Sequence, residues 1–145
     1  MARRVRVHTG ILDAMLAQAR AEWPRECCGL LAGVEGVISE IFPTSNQLQS
    51  ETEYFISPQE LIAALRSIRE RGLAHLGIYH SHPHGKNIPS RRDIQESNYP
   101  SCVYFILAPH AETRAIRAFE IRNGRATEVE IEAVEHADVF SSPSE

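Results

Sequence analysis

Two histidines and one aspartate within a short stretch constrain this chain more than any other feature of its sequence. His80 and His82 are two residues apart, and Asp93 follows after Pro83 and a polar segment. Residues two apart on a β-strand point to the same face, so both imidazoles of an extended segment would aim at one point. Asp93 reaches that point if the chain turns at Gly85 and then begins a helix. The stretch therefore predicts a metal site with three protein ligands, and an open fourth position is typical of catalytic zinc sites.

Each part of this pattern also has a plainer structural explanation. Two histidines on one strand face can simply be hydrogen-bonded surface or core residues. Ser90 followed three residues later by Asp93 resembles a helix capping box, although Glu or Gln is the usual partner of the serine. The two interpretations are compatible, because a cap at Ser90 would place Asp93 in the first turn of a helix that faces the metal. We interpret His84 as a loop residue, with metal ligation as the alternative.

The order and spacing of these residues resemble the signature of the JAMM (MPN-plus) metallopeptidases. In that signature a His-x-His pair precedes a serine and an aspartate, as do His80, His82, Ser90 and Asp93 here. The family adds an upstream glutamate within Pro-x-Glu-x-Cys-Gly-Leu, and residues 24–30 are Pro-Arg-Glu-Cys-Cys-Gly-Leu. The match therefore spans most of the chain.

This resemblance implies a hydrolase that cuts an amide bond with a zinc-activated water. A Zn²⁺ ion with one open position lowers the pKa of bound water to about 7 and so supplies a nucleophile without a covalent intermediate. A glutamate whose pKa is raised toward working pH can take the water proton and pass it to the leaving amine. The resemblance assigns Glu26 to that role, Ser90 to the oxyanion, and the metal to His80, His82 and Asp93.

The family also implies a fold and a substrate. We expect an α/β fold with a mixed central β-sheet flanked by helices, the MPN/JAB fold, which resembles cytidine deaminases in outline. Family members cleave after the C-terminal Gly-Gly of ubiquitin or ubiquitin-like proteins, and short members resemble enzymes that act on sulfur carriers. We therefore expect a ubiquitin-like sulfur-carrier protein, or its C-terminal adduct, as the partner. Its tail could add to an exposed strand edge beside the metal, with residues 45–50, including Asn46, and residues 84–88 as walls.

Other functions fit parts of the sequence. A cysteine with a histidine partner can act as a thiol nucleophile, and Cys27 and Cys28 are the candidates. The chain could also be a catalytically silent MPN scaffold, although silent members lose a ligand or the glutamate. A zinc hydrolase of another amide, or a relative associated with DNA repair, is a further alternative.

Composition limits the partners and the compartment. The chain has 145 residues, which predicts one domain over residues 1–135 and a flexible tail over residues 136–145. A net charge of −4 argues against binding nucleic acid by phosphate neutralisation. Three cysteines form no disulfide framework, and no apolar run has the length of a membrane span. We expect a soluble cytoplasmic protein; its oligomeric state cannot be predicted.

Hydrophobic periodicity and turn residues predict how strands and helices alternate. Glu35-Gly36 and Asn123-Gly124 indicate tight hairpins. Thr9 is a candidate N-cap of the first helix, and Ser57 and Glu60 form a candidate capping box of the second. Leu61, Ile62, Leu65 and Ile68 are its predicted buried face. The predicted strands are a short one at Val5 and Val7, then residues 30–34, 37–42, 76–82, 102–108, 116–121 and 125–133; the predicted helices are residues 10–22, one ending at Gly72, and one beginning at Ser90.

Overall fold

The computed structural model describes residues 3–135, so the predicted flexible tail at residues 136–145 lies outside the described residues. Strands and helices alternate along this part of the chain, close to the predicted positions. In chain order they are β1 (Arg4–His8), α1 (Thr9–Glu22), β2 (Cys28–Val34), β3 (Val37–Thr44), α2 (Pro58–Glu70), β4 (Ala74–Ser81), α3 (Arg91–Gln95), β5 (Val103–Leu107), β6 (Ile116–Arg122) and β7 (Arg125–Val134).

The strands form one mixed sheet in the order β1-β3-β2-β4-β5-β6-β7. β4 is antiparallel to β2 and parallel to β5, while β1 is parallel to both β3 and β7. The predicted mixed sheet is confirmed. Its closure through β1 and β7 was not predicted, because no local sequence pattern indicates that these two distant strands pair.

Helices cover both faces of β2, as expected for a sheet flanked by helices. Leu31 belongs to a core that includes Met15 and Ala19 of α1. Leu30 points the other way and packs with Ile68 of α2, because consecutive residues of a strand face opposite sides. The strand between them is therefore apolar throughout, and the same holds for β5, which is buried along its whole length.

Both predicted hairpins are confirmed by their backbone angles. Glu35 and Gly36 have φ values of 53° and 78°, and Asn123 and Gly124 have values of 54° and 71°. Two consecutive residues at positive φ are the mark of the type I′ turn that joins twisted antiparallel strands.

Three details of the helix predictions are wrong. The N-cap of α1 is His8, and the Thr9 hydroxyl instead donates to Glu135 at 3.3 Å. Ser57 caps α2 as predicted, but the Glu60 carboxylate accepts from the Ser45 backbone at 3.1 Å and makes no reciprocal capping bond. Ile62 is 56% exposed, because the face set by the other three predicted residues turns it toward solvent.

Candidate metal and catalytic site

The register of β2 against β4 brings Glu26 close to His80 and His82. Cys28 pairs with His80, and the pairing continues to the next residue of each chain segment, where the Ser81 amide donates to the Cys27 carbonyl at 3.1 Å. Paired residues of two strands share a face, as do residues two apart on one strand. Glu26 and His82 therefore come to the same side as His80. Ser81 faces the other way and accepts from the Cys27 amide at 2.8 Å, in agreement with its predicted structural role.

The two imidazoles and the Asp93 carboxylate converge on one point. The Nε2 atoms of His80 and His82 are 3.1 Å apart, and Asp93 places Oδ1 3.2 Å from the first and Oδ2 3.1 Å from the second. Ligand atoms about 2.0–2.1 Å from a tetrahedral Zn²⁺ lie about 3.3 Å from each other. The three side chains thus have both the chemistry and the spacing of a zinc-binding set.

Local hydrogen bonds orient two of the three converging side chains. The Nδ1 of His82 donates to the Lys86 carbonyl at 2.8 Å, which orients the ring so that Nε2 points toward the cluster. Asp93 belongs to a complete capping box of α3: its Oδ2 accepts from the Ser90 amide at 2.9 Å, and its own amide donates to the Ser90 hydroxyl oxygen at 3.1 Å. The predicted cap and the predicted convergence of Asp93 are therefore both present.

His80 is held differently. Its Nδ1 is buried without a hydrogen-bond partner in the part of the chain that the structure describes. The ring of Tyr54 stacks on its imidazole instead, with centroids 4.5 Å apart and an interplanar angle of 22°. Tyr54 was not among the predicted site residues, because an aromatic residue in a short irregular segment carries no positional signal.

Glu26 is a buried acid beside this cluster. Its side chain lines a cleft of about 270 Å³ together with His82 and Ser90, and the residue is only 4% exposed. Burial raises the pKa of the Glu26 carboxyl to about 8, with the Asp93 carboxylate adding to the rise and His82 opposing it. At neutral pH this group can therefore both accept and donate a proton.

The charge states of two of the converging residues suit metal binding. Burial lowers the pKa of His80, which favours the neutral imidazole that a metal requires. Burial works against ionisation of Asp93, but hydrogen bonds from His80 and His82 outweigh it and hold the pKa of this carboxyl well below its usual range. Metal ligands must be deprotonated to bind, and these two already are at neutral pH.

Asn46 braces the site and does not line its cleft. Its side-chain amide donates to the carbonyls of Glu26 and Glu53 at 3.1 and 2.9 Å, and its Oδ1 accepts from the Phe55 amide at 3.1 Å. The expectation that residues 45–50 form a wall is therefore wrong, since Glu51 and Thr52 take that place. His84 and Gly85 of the other predicted wall do line the cleft, and His84 pairs with Glu51 at 2.9 Å.

The thiol alternative is contradicted by burial. Cys27 and Cys28 are both inaccessible to solvent, and burial raises the pKa of each thiol to about 12. A nucleophilic cysteine needs an exposed thiolate at neutral pH. The sulfur of Cys28 also lies 3.4 Å from the Thr44 hydroxyl, within the sheet.

The strand that carries His80 offers no free edge to a peptide. β4 is paired on both sides, with β2 and β5, and the sheet closes through β1 and β7. An incoming peptide therefore cannot pair with β4. The outer side of β3 stays open, because within residues 3–135 it pairs with β1 only at Val37 and Ile38. A groove of about 520 Å³ adjoins the site, bordered by Tyr54, Phe55, Arg92 and Tyr99.

Comparison with known proteins agrees with this geometry. The family of prokaryotic homologs of the JAB domain matches residues 8–122. The chain belongs to this family. A CysO-cysteine peptidase of Mycobacterium tuberculosis strain H37Rv is 31% identical to this JAB chain over 134 residues, which span 89% of it and 90% of the relative. A probable TtuB-protein conjugate cleaving protease of Thermus thermophilus is 37% identical over 120 residues, spanning 82% and 77%.

A solved structure extends the similarity of the JAB chain to its whole fold. The solution structure of protein DSY2949 from Desulfitobacterium hafniense superposes with a TM-score of 0.83 at 29% identity, covering 94% of this chain and 97% of that one. The predicted MPN/JAB fold and the predicted enzyme class, a hydrolase of the JAMM metallopeptidase type, are confirmed. Within residues 3–135, no helix is long and apolar enough to span a bilayer.

Proposed function

We propose that this JAB protein is a zinc-dependent cytoplasmic peptidase that hydrolyses the amide bond after the C-terminal Gly-Gly of a ubiquitin-like sulfur-carrier protein. The observation that supports it most is the position of Glu26. A buried carboxyl group with a raised pKa shares a cleft with His82, which is one of three side chains that have the spacing of a zinc-binding set. The JAB relatives named for CysO and TtuB point to carriers of this kind.

His80, His82 and Asp93 would hold the zinc ion. When bound there, Zn²⁺ supplies Lewis acidity that lowers the pKa of a water and polarises the scissile carbonyl. Glu26 takes the proton from the attacking water and returns it to the leaving amine. Its burial keeps the proton affinity of its carboxyl group close to neutral pH, which both transfers require.

Ser90 is the proposed donor to the developing oxyanion. Its hydroxyl oxygen accepts the amide of Asp93 at 3.1 Å, so the hydroxyl proton remains available to donate into the cleft. Donors of this kind are worth about 3 kcal/mol in the transition state. The same capping bond fixes the serine beside the carboxylate that is proposed to ligate the metal.

The groove beside Tyr54 is the proposed place of the carrier tail. Phe55 directs its amide to Asn46 and its carbonyl to Gln47. The backbone groups of Tyr54 and Ile56, which both line the groove, are therefore the proposed partners of the tail. An extended tail can pair with these groups without entering the sheet. Glycines suit the end of the tail because its backbone has to approach the metal closely.

Mass spectrometry of zinc-loaded protein mixed with C-terminally extended carriers tests the activity. CysO and TtuB, each carrying one or more residues beyond Gly-Gly, serve as substrates. We expect loss of the extension alone, abolished by a chelator, restored by zinc, and absent with Glu26→Gln. Glu22→Gln is the matched control, since Glu22 lies on α1 outside the site cleft and its loss leaves the reaction intact. Full activity of Glu26→Gln would rule out the proposed mechanism.

Replacing the penultimate glycine of the carrier with a bulky residue tests the placement of the tail. We expect cleavage to stop, because a side chain at this position would collide with the walls of the site. Unchanged cleavage of that carrier would contradict a narrow passage for the tail while leaving the assignment of Glu26 untouched.

A further inference from the structure

A second cleft lies next to the proposed tail groove and differs from it in charge. Its volume is about 960 Å³, compared with about 520 Å³ for the groove. Gln95 and Asn98 line both, so one surface is continuous with the other. We call it the arginine cleft, and its remaining lining residues are Arg91, Ile94, Ser97, Pro100, Ile121, Arg122, Asn123 and Gly124.

The arginine cleft is built to attract negative charge. Neither Asp nor Glu is among its lining residues, although the whole chain has a net charge of −4. Arg122 is held over the cleft by a hydrogen bond of 3.2 Å from its Nε to the Pro100 carbonyl. The nearest carboxylate to this guanidinium is Glu120 at 3.8 Å, and Glu120 also pairs with Arg3. The side chain of Arg91 is exposed and has neither a hydrogen bond nor an ion pair with any residue between 3 and 135.

The hairpin beside the cleft places a further arginine next to Arg122. Arg122 and Arg125 are directly opposite each other at the tip of β6 and β7. Like charges facing each other across two strands destabilise the pair. An arrangement of this kind favours the binding of an anionic group that bridges both guanidinium groups.

We propose that the arginine cleft is the docking surface for acidic side chains on the folded body of the carrier, an inference that rests on the proposed function. The tail groove ends at Gln95 and Asn98, where the cleft begins, so a carrier whose tail lies in the groove has its body above the arginines. Charge complementarity at such a rim acts mainly on the rate of association and on its dependence on salt.

The test compares a whole carrier with its isolated tail. The substrates are extended CysO and TtuB, and peptides of their last six residues with the same extension. The variant is Arg122→Glu with Arg125→Glu, whose exposed side chains on a hairpin tip are remote from the fold's core. The matched control is Arg66→Glu with Arg69→Glu, a double charge reversal on α2.

We expect the hairpin variant to raise KM for at least one extended carrier roughly tenfold while kcat stays within about twofold. The peptides, which are too short to reach the cleft, keep their kcat/KM, and the α2 control changes neither substrate. Raising NaCl from about 50 to about 500 mM should weaken carrier cleavage by the unmodified protein and have little effect on the variant. An unchanged carrier KM, or an equal loss on carrier and peptide, would overturn the docking proposal.

A binding measurement separates this proposal from the activity. Zinc-loaded Glu26→Gln protein is titrated with each extended carrier by calorimetry, with and without the two hairpin substitutions. Binding that weakens roughly tenfold with the substitutions supports the docking surface even if the unmodified protein cleaves nothing. Binding that is unchanged by the substitutions, or no binding at all, refutes the docking proposal.

Discussion

Cys28 of β2 lies directly opposite His80 of β4, and this one pairing determines where the proposed proton shuttle stands. Extending the register by two residues puts Glu26 across from His82, beyond the ends of both strands. The two motifs are more than fifty residues apart along the chain, and the sheet joins them. The site is thus an extension of a buried strand pair, which explains how a carboxyl group comes to be buried beside His80, His82 and Asp93.

The burial of Glu26 makes stability depend on pH. The pKa of this carboxyl is raised from 4.5 to about 8 in the folded protein, so the folded state binds a proton that the unfolded state releases. Stability from this group is fully present below about pH 4.5 and declines as pH rises to about 8. In urea unfolding of the metal-free protein, Glu26→Gln should flatten this decline. Parallel pH profiles for the two proteins would show that the carboxyl is not perturbed.

Tyr54 should control the affinity for zinc without touching the ion. The stack on His80 replaces the outer hydrogen bond that usually orients a ligating imidazole. We expect Tyr54→Ala to weaken zinc binding about 10- to 100-fold in competition with a chromophoric chelator, while Tyr54→Phe keeps it. Phe55→Ala is the control, since Phe55 borders the same groove and is 47% exposed. If Tyr54→Ala binds zinc as tightly as the unmodified protein, the stack does not position His80.

Asn46→Asp should damage the protein although the two side chains have the same shape. The new oxygen would face the carbonyls of Glu26 and Glu53, which now accept hydrogen bonds from the amide. Losing these bonds in a buried position costs about 2 kcal/mol or more, and the segment carrying Tyr54 loses its anchor. Thermal unfolding should show the loss, and Gln47→Glu, an exposed neighbour, should show none.

Asp93→Asn should separate the two tasks of this side chain. An asparagine oxygen can still accept from the Ser90 amide, so circular dichroism should report an intact fold. The negative charge is lost, and zinc affinity should fall by more than about 100-fold. That value is the upper end of the loss expected when a residue that only orients a metal ligand is replaced. Glu96→Gln removes a carboxylate from the C-cap of the same helix and should leave zinc binding unchanged. Normal zinc binding by Asp93→Asn would mean that the charge of this side chain is not needed to hold the ion.

The parts of the site that follow from local rules could be predicted from the sequence. A spacing of two on a strand places His80 and His82 on one face, and a serine three residues before an acid caps a helix. The hairpins follow from Asn-Gly and Glu-Gly pairs for the same reason, since a type I′ turn demands positive φ over two residues.

The parts that depend on distant pairings could not be predicted. Asn46 sits in a polar loop, and only the folded chain brings its amide to the carbonyl of Glu26. Tyr54 reaches His80 across the fold from an irregular segment. Closure of the sheet depends on β1 lying between β3 and β7, where it pairs with β3 at Val37 and Ile38 and with five residues of β7. In each case the partner is chosen by the tertiary structure, and neighbouring residues carry no sign of it.

The carboxylate of Asp93 both caps α3 and belongs to the three side chains proposed to bind the metal. The oxygen atom of Asp93 that accepts the Ser90 amide is also the one nearest His82. Binding of an ion and formation of the first turn of α3 are then coupled. Amide hydrogens of residues 90–96 should therefore exchange more slowly in the zinc-loaded protein than in the metal-free protein. Amide hydrogens of β5 should exchange at the same rate in both. Loading of the proposed zinc site would in that way order the start of α3 as well as supply the Lewis acid.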